Sequence, residues 1–217
     1  MEVGKTPLIQ LSDKLYAKYE ALNPGGSIKD RPVKYILDNA EELGILKRGS
    51  GQVIAEATSG NTGISLAMMC AERGYKCVIV MPSDMSEERK KMMKFFGAEI
   101  IEVDEGDFDG AISHKEHLAK THNYKELNQF NNKLNIECHY NTTFVEIMND
   151  YQLLEEDVSA FILGTGTGGT LMGIEQGCKD WNLDSKIIAV EPLESPVMSV
   201  VKRDYMVFKE LVMVQSF

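Results

Sequence analysis

The sequence predicts an α/β protein built on parallel sheets, and three features carry that reading. Short apolar runs alternate with amphipathic helical patches along nearly the whole chain. The runs are continuously apolar, the pattern of strands buried on both faces. Turn-forming segments rich in glycine sit between a run and the helix that follows it, the arrangement of strand–helix–strand units.

Taken in order, Pro32 suits the first position of a helix whose apolar stripe is Val33, Ile36, Leu37, Ala40 and Leu43. Val53-Ile54-Ala55 reads as a strand. A helix with Ile64, Leu66, Ala67, Met68 and Ala71 inside follows from Asn61 to Arg73. Cys77-Val78-Ile79-Val80-Met81 is the next strand. Ser86 caps a helix with Glu87 and Glu88 in its first turn, and Gly97 closes it. Ala98–Val103 is a strand and Phe108–Lys120 a helix. Ala160–Leu163, a glycine-rich turn, a helix to Cys178 and the strand Lys186–Val190 form one more unit. The chain is expected to cross between two sheets near Pro32 and again between Asn128 and Asn141.

Composition narrows the function. The 217 residues carry 33 acidic and 23 basic side chains, a formal charge of −10. No basic stripe is present to meet a phosphate backbone, so nucleic acid is excluded as a partner. No apolar run approaches the roughly 20 residues of a membrane helix, and Met1-Glu2-Val3-Gly4-Lys5 carries no signal-peptide core. A membrane is not expected, and the cytoplasm is. Cys70, Cys77, Cys138 and Cys178 are spaced too widely for a zinc knuckle or a redox pair and read as buried, reduced thiols. His114, His117, His122 and His139 form no metal-binding spacing and read as surface residues, so no metal site is expected.

Three segments carry chemistry. Asn23-Pro24-Gly25-Gly26-Ser27-Ile28-Lys29-Asp30-Arg31-Pro32 is a turn running into a helix, with Lys29 just before the helix start. The positive end of the helix dipole disfavours an ammonium there, so Lys29 is a candidate amine nucleophile; an ordinary loop lysine is the plainer alternative. Thr58-Ser59-Gly60-Asn61-Thr62-Gly63 offers hydroxyl, amide and backbone donors at a helix N-terminus, suited to a carboxylate or phosphate; a polar capping turn uses the same residue types. Gly164-Thr165-Gly166-Thr167-Gly168-Gly169-Thr170 follows a strand and opens a helix, a backbone concavity for phosphate. Gly164, Gly166 and Gly169 also satisfy the dinucleotide fingerprint, with Glu191 ending the next strand. That reading leaves the first two segments unexplained. A small phosphorylated aldehyde explains all three.

These segments, in this order, closely resemble the three motifs of the cysteine synthase (O-acetylserine sulfhydrylase) and cystathionine β-synthase family of fold-type II pyridoxal-phosphate enzymes. The resemblance runs from Thr6-Pro7-Leu8 to Glu191-Pro192-Leu193-Glu194-Ser195-Pro196-Val197. It implies two parallel-sheet αβα domains of the tryptophan synthase β-like type, a smaller one over 34–132 and a larger one of 1–33 with 133–217. It implies that Lys29 holds pyridoxal 5'-phosphate and then removes the substrate's α-proton. Asn61 would bond the cofactor's ring oxygen, and Gly164, Thr165, Gly166, Thr167 and Gly168 would bind its phosphate. Thr58, Ser59, Thr62 and Gln129 would hold the substrate α-carboxylate. The implied reaction is β-replacement on O-acetyl-L-serine, or a related activated serine, by sulfide to give L-cysteine. A homodimer and serine acetyltransferase are the implied protein partners.

The chain departs from the family pattern in places. After Val197 it no longer follows the family, so the larger domain is expected to be incomplete and to lack the serine that faces the pyridine nitrogen; Ser199 and Ser216 are not in a suitable context. The stretch Ile9–Tyr19 reads as shortened, with loss of sheet near the start. Thr142-Thr143-Phe144 stands where Thr-Thr-Gly is usual, and Lys5 where asparagine is usual. A weakly active or inactive relative that binds cofactor or a partner, or a cystathionine β-synthase, are the alternatives.

Overall fold

The structure is a computed structural model that describes residues 1–152 and 157–191, with the backbone of 214–215. The stretch Pro192–Val197 and the residues Ser199 and Ser216 considered above lie outside the described residues. The α/β class holds. The chain divides into two compact units, one of Met1–Val3 with Asn23–Asn132 and one of Gly4–Leu22 with the chain from Lys133 on.

The first unit is a four-stranded parallel sheet in the order β5-β4-β3-β6: β3 Val53–Ala57, β4 Lys76–Pro82, β5 Glu99–Val103 and β6 Lys125–Glu126. Every residue of β4 from Cys77 to Pro82 is buried. Side chains alternate between faces along a strand, so both faces are covered. The cover comes from α1 (Asp30–Glu42), α2 (Asn61–Arg73), α3 (Glu87–Phe95) and α4 (Phe108–His122). Val33, Leu37, Ile54, Leu66, Met69, Ile79, Met81, Met93 and Leu127 form its interior. The expected stripe of α1 stops short: Leu43 is 68% exposed, because the helix ends at Glu42 and Leu43 is its C-cap.

The second unit holds β1 Leu8–Ser12, β2 Leu15–Lys18, β7 Ala160–Gly164, β8 Lys186–Val190 and β9 Val214–Gln215, in the order β1-β2-β9-β7-β8. The β7–β8 pair is parallel and encloses a crossover helix, α7 (Gly169–Asp180). The expected loss of sheet near the start does not occur. Leu8–Ser12 and Leu15–Lys18 form an antiparallel hairpin with Lys14 at φ 60° in its turn. The shared sheet is therefore mixed.

Helical segments α5 (Leu134–Cys138) and α6 (Val145–Gln152) flank a π-helical stretch, His139–Phe144. A core of Tyr16, Phe144, Ile147, Met148, Tyr151, Val158, Phe161, Leu163, Ile174 and Cys178 joins them to the strands. All four cysteines are buried free thiols, as expected. Burial pushes the Cys178 thiol up to about 11. Among the described residues no helix is long and apolar enough to cross a membrane, and no group of side chains could hold a metal ion.

Candidate active site

Lys29 is the N-cap of α1. The turn before it closes through the Gly26 N–H on the Asn23 carbonyl at 2.8 Å, and the Lys29 N–H bonds the Ser27 hydroxyl at 3.2 Å. Asp30, fully buried, anchors this turn to the rest of the unit. Its carboxylate accepts the Gly25 N–H at 2.5 Å and the hydroxyl of Ser65 on α2. The Lys29 backbone is thereby fixed from both sides while its side chain stays half-buried. No counter-ion or acceptor is recorded for its amine among the described residues, and desolvation pulls the amine below the ordinary lysine value of 10.5. A lysine with an accessible neutral form is what attack on an aldehyde requires.

Thr58 follows β3, held by its N–H on the Val80 carbonyl at 3.1 Å, and its hydroxyl accepts the Gly60 N–H at 3.2 Å. Gly60 is the N-cap of α2. The backbone N–H groups of Ser59, Asn61 and Thr62 have no acceptor among the described residues, so the loop presents unpaired donors at a helix N-terminus. Asn61 is exposed as the first helical residue. Thr62 and Gln129 are both buried, and the Thr62 hydroxyl donates to Gln129 Oε1 at 2.7 Å. Thr58, Ser59 and Gln129 also border a cavity of about 190 Å³ whose apolar wall includes Val80, Pro82, Phe108 and Ile112. The first unit thus gathers Thr58, Ser59, Thr62 and Gln129 around one donor-rich loop.

Gly164 to Gly168 lie in the second unit, between β7 and α7. The Thr165 N–H and hydroxyl both go to the Val190 carbonyl, at 2.8 and 3.0 Å, which ties the loop to β8. Gly168, the N-cap of α7, has φ +79°, a left-handed conformation that only glycine adopts without strain. A Cβ on Gly166 or Gly168 would meet nothing within 4 Å. The N–H groups of Gly166, Thr167 and Gly168 find no acceptor among the described residues. Open space over unpaired amides at a helix N-terminus fits a phosphate group.

Three residues that the sequence reading passed over, and one that it placed on the surface, shape these loops. Asp30 reads as a routine first-turn acid. Glu56 is a lone charge inside the apolar run of β3, and that anomaly was available. Asn135 donates to the Thr167 hydroxyl at 2.9 Å, and its side chain fills the space where a Cβ on Gly169 would stand. His139 corrects an expectation: it is 1% exposed rather than on the surface, with Nδ1 2.8 Å from the Thr143 hydroxyl and Nε2 3.3 Å from that of Thr170. Threonine hydroxyls on both ring nitrogens satisfy the imidazole inside the fold.

Residues 1–205 match the family described as pyridoxal-phosphate dependent enzyme. The chain belongs to that family. Cysteine synthase of Staphylococcus aureus is 40% identical over 205 residues, covering 91% of this chain and 65% of the relative. A hydrogen sulfide-producing enzyme from Fusobacterium nucleatum superposes with a TM-score of 0.81 at 41% identity, over 91% of this chain and 67% of that one. O-ureido-L-serine synthase gives 0.85 at 33% identity, over 93% and 65%. The chain spans about two thirds of the length of these relatives, 65% for the cysteine synthase. The family's cofactor fits the two features described: a desolvated lysine amine and a glycine loop of unpaired amides.

Proposed function

We propose that this pyridoxal-phosphate family member is a cysteine synthase, replacing the β-substituent of O-acetyl-L-serine, or a related activated serine, by sulfide to give L-cysteine. The half-buried Lys29, whose amine is desolvated and without a recorded partner, carries the reading. It is supported by the 40% identity to a cysteine synthase and by the order of the three segments. Pyridoxal phosphate, when bound, supplies the electron sink for the pair left at the substrate's α-carbon. Lys29 Nζ would hold the cofactor and, once released from it, would accept the α-proton. The Thr58–Thr62 loop and Gln129 hold the α-carboxylate, fixing which face of the α-carbon is presented to Lys29. Asn61 would donate to the cofactor's ring oxygen, and in the Gly164–Gly168 loop the unpaired amides of Gly166, Thr167 and Gly168 would meet its phosphate. The proposed setting is the cytoplasm, with a homodimer as the working unit and serine acetyltransferase as a partner, on the strength of the family resemblance alone.

A second reading is a relative that binds the cofactor or a partner with little turnover. Purified protein supplied with pyridoxal phosphate, O-acetyl-L-serine and sulfide separates the two. Cysteine formation supports the synthase; bound cofactor colour without cysteine supports the second reading. No colour, with thermal protection by NAD instead, overturns both.

A further inference from the structure

We propose that Glu56 is a positioning residue that sets the Gln129 amide for the substrate carboxylate. The proposal rests on the reading of Gln129 as a carboxylate ligand. Glu56 is 2% exposed and stands in the middle of β3, two positions before the Thr58 loop begins. The neighbouring strand β6 ends early. Its register with β3 is Ile54 against Lys125 and Ala55 against Glu126, and no further pair follows. Where the ladder stops, the Glu56 carboxylate takes over as acceptor. It receives the Asn128 N–H on Oε2 at 2.8 Å and the Gln129 N–H on Oε1 at 3.4 Å. Both bonds hold the backbone that carries the Gln129 side chain.

Asn128 in this segment has φ +55°, in the left-handed region that asparagine enters more readily than other residues with a side chain. Lys115, buried on α4, adds a second grip through Asn128 Oδ1 at 2.5 Å and Glu126 Oε1 at 2.8 Å. With Thr62 on Gln129 Oε1, the Glu56 hold on the Gln129 backbone sets where the amide stands and so the direction of its N–H donors. Burial raises the Glu56 pKa, and the amide bonds and Lys115 work against that rise, as expected for a carboxylate kept inside to accept hydrogen bonds.

The test is a double-mutant cycle on the cofactor-loaded protein, with L-serine binding read by calorimetry. Glu56→Gln keeps the side chain's size but turns an NH2 group towards amides that need acceptors. It is expected to weaken L-serine binding about tenfold, the scale of a lost hydrogen bond to a charged group, with cofactor content unchanged. Hydrogen exchange at the Asn128 and Gln129 amides should quicken together. Gln129→Ala should weaken binding similarly, and adding Glu56→Gln to it should cost little more. Additive losses, or unchanged binding in Glu56→Gln alone, would overturn the proposal while leaving Gln129 as a ligand. Unchanged binding in Gln129→Ala would remove both. If Glu56→Gln fails to fold, Asn128→Gly releases the Lys115 grip while keeping the backbone angle favourable. It should weaken L-serine binding in the same non-additive way, and additivity there overturns the proposal too.

Discussion

Replacing Gly177 by alanine should change sign as a stability mutation depending on what stands at position 144. Gly177 lies inside α7, and a Cβ there would sit 2.6 Å from Cε1 of Phe144, with Cγ and Cδ1 closer still. Phe144 has no room to yield. It is fully buried, with Trp181 edge-on at 5.3 Å and Phe161 at 6.4 Å between ring centres. Overpacking of this kind costs about 1–3 kcal/mol, while alanine for glycine in a helix interior returns about 1 kcal/mol. Gly177→Ala alone should therefore lower stability by up to about 2 kcal/mol. Phe144→Ala should cost about 3–5 kcal/mol. In that background the clash is gone, and Gly177→Ala should raise stability by about 1 kcal/mol. Urea unfolding followed by the fluorescence of Trp181, the sole tryptophan, reports on this core directly. Gly177→Ala having the same sign in both backgrounds would refute the reasoning.

Three further outcomes are expected. Borohydride treatment of the cofactor-loaded protein should fix the cofactor on the peptide bearing Lys29, and reaction should persist at pH values below those of an ordinary lysine because burial lowers this amine's pKa; label on Lys34 or Lys47 would remove the assignment. Gly168→Ala forces a left-handed backbone on a residue with a Cβ, at about 1–2 kcal/mol, so it should weaken pyridoxal-phosphate binding by roughly tenfold without unfolding the protein; an unchanged dissociation constant would place the phosphate elsewhere. Arg73, 5% exposed, bridges Asp38 at 2.8 Å and Glu41 at 3.1 Å, and its replacement by methionine should cost about 2 kcal/mol near neutral pH. Burial would raise both carboxyl pKa values, but Lys34 and Arg73 at Asp38, and Arg48, Tyr75 and Arg73 at Glu41, outweigh it and lower them from 3.8 and 4.5. Their contribution is thus present above those values and lost as pH falls through the lower folded ones, so the penalty of the variant should shrink in acid; a penalty independent of pH would contradict it.

The local pattern was enough for the order of elements in the first unit. Continuous apolar runs such as Cys77–Met81 suit strands covered on both faces, and Ser86 at the N-cap, without a side-chain cap bond, and Gly97 just past the end bracket α3. The Thr58 and Gly164 loops were legible for the same reason: backbone donors at a strand–helix junction follow from glycine and hydroxyl residues adjacent in the chain. The hairpin Leu8–Lys18 was not, because its turn closes on Lys14 at positive φ, with no glycine to announce it. Nor was the burial of His139, whose partners Thr143 and Thr170 lie one helical turn away and on another helix. The bond between Thr62 and Gln129 joins residues 67 apart, and the grip of Glu56 on Asn128 spans 72. Sequence supplies such groups one at a time. Only folding decides which of them meet, because closing a long loop costs little more than closing a short one, while the packing that selects the contact is spread over the whole core.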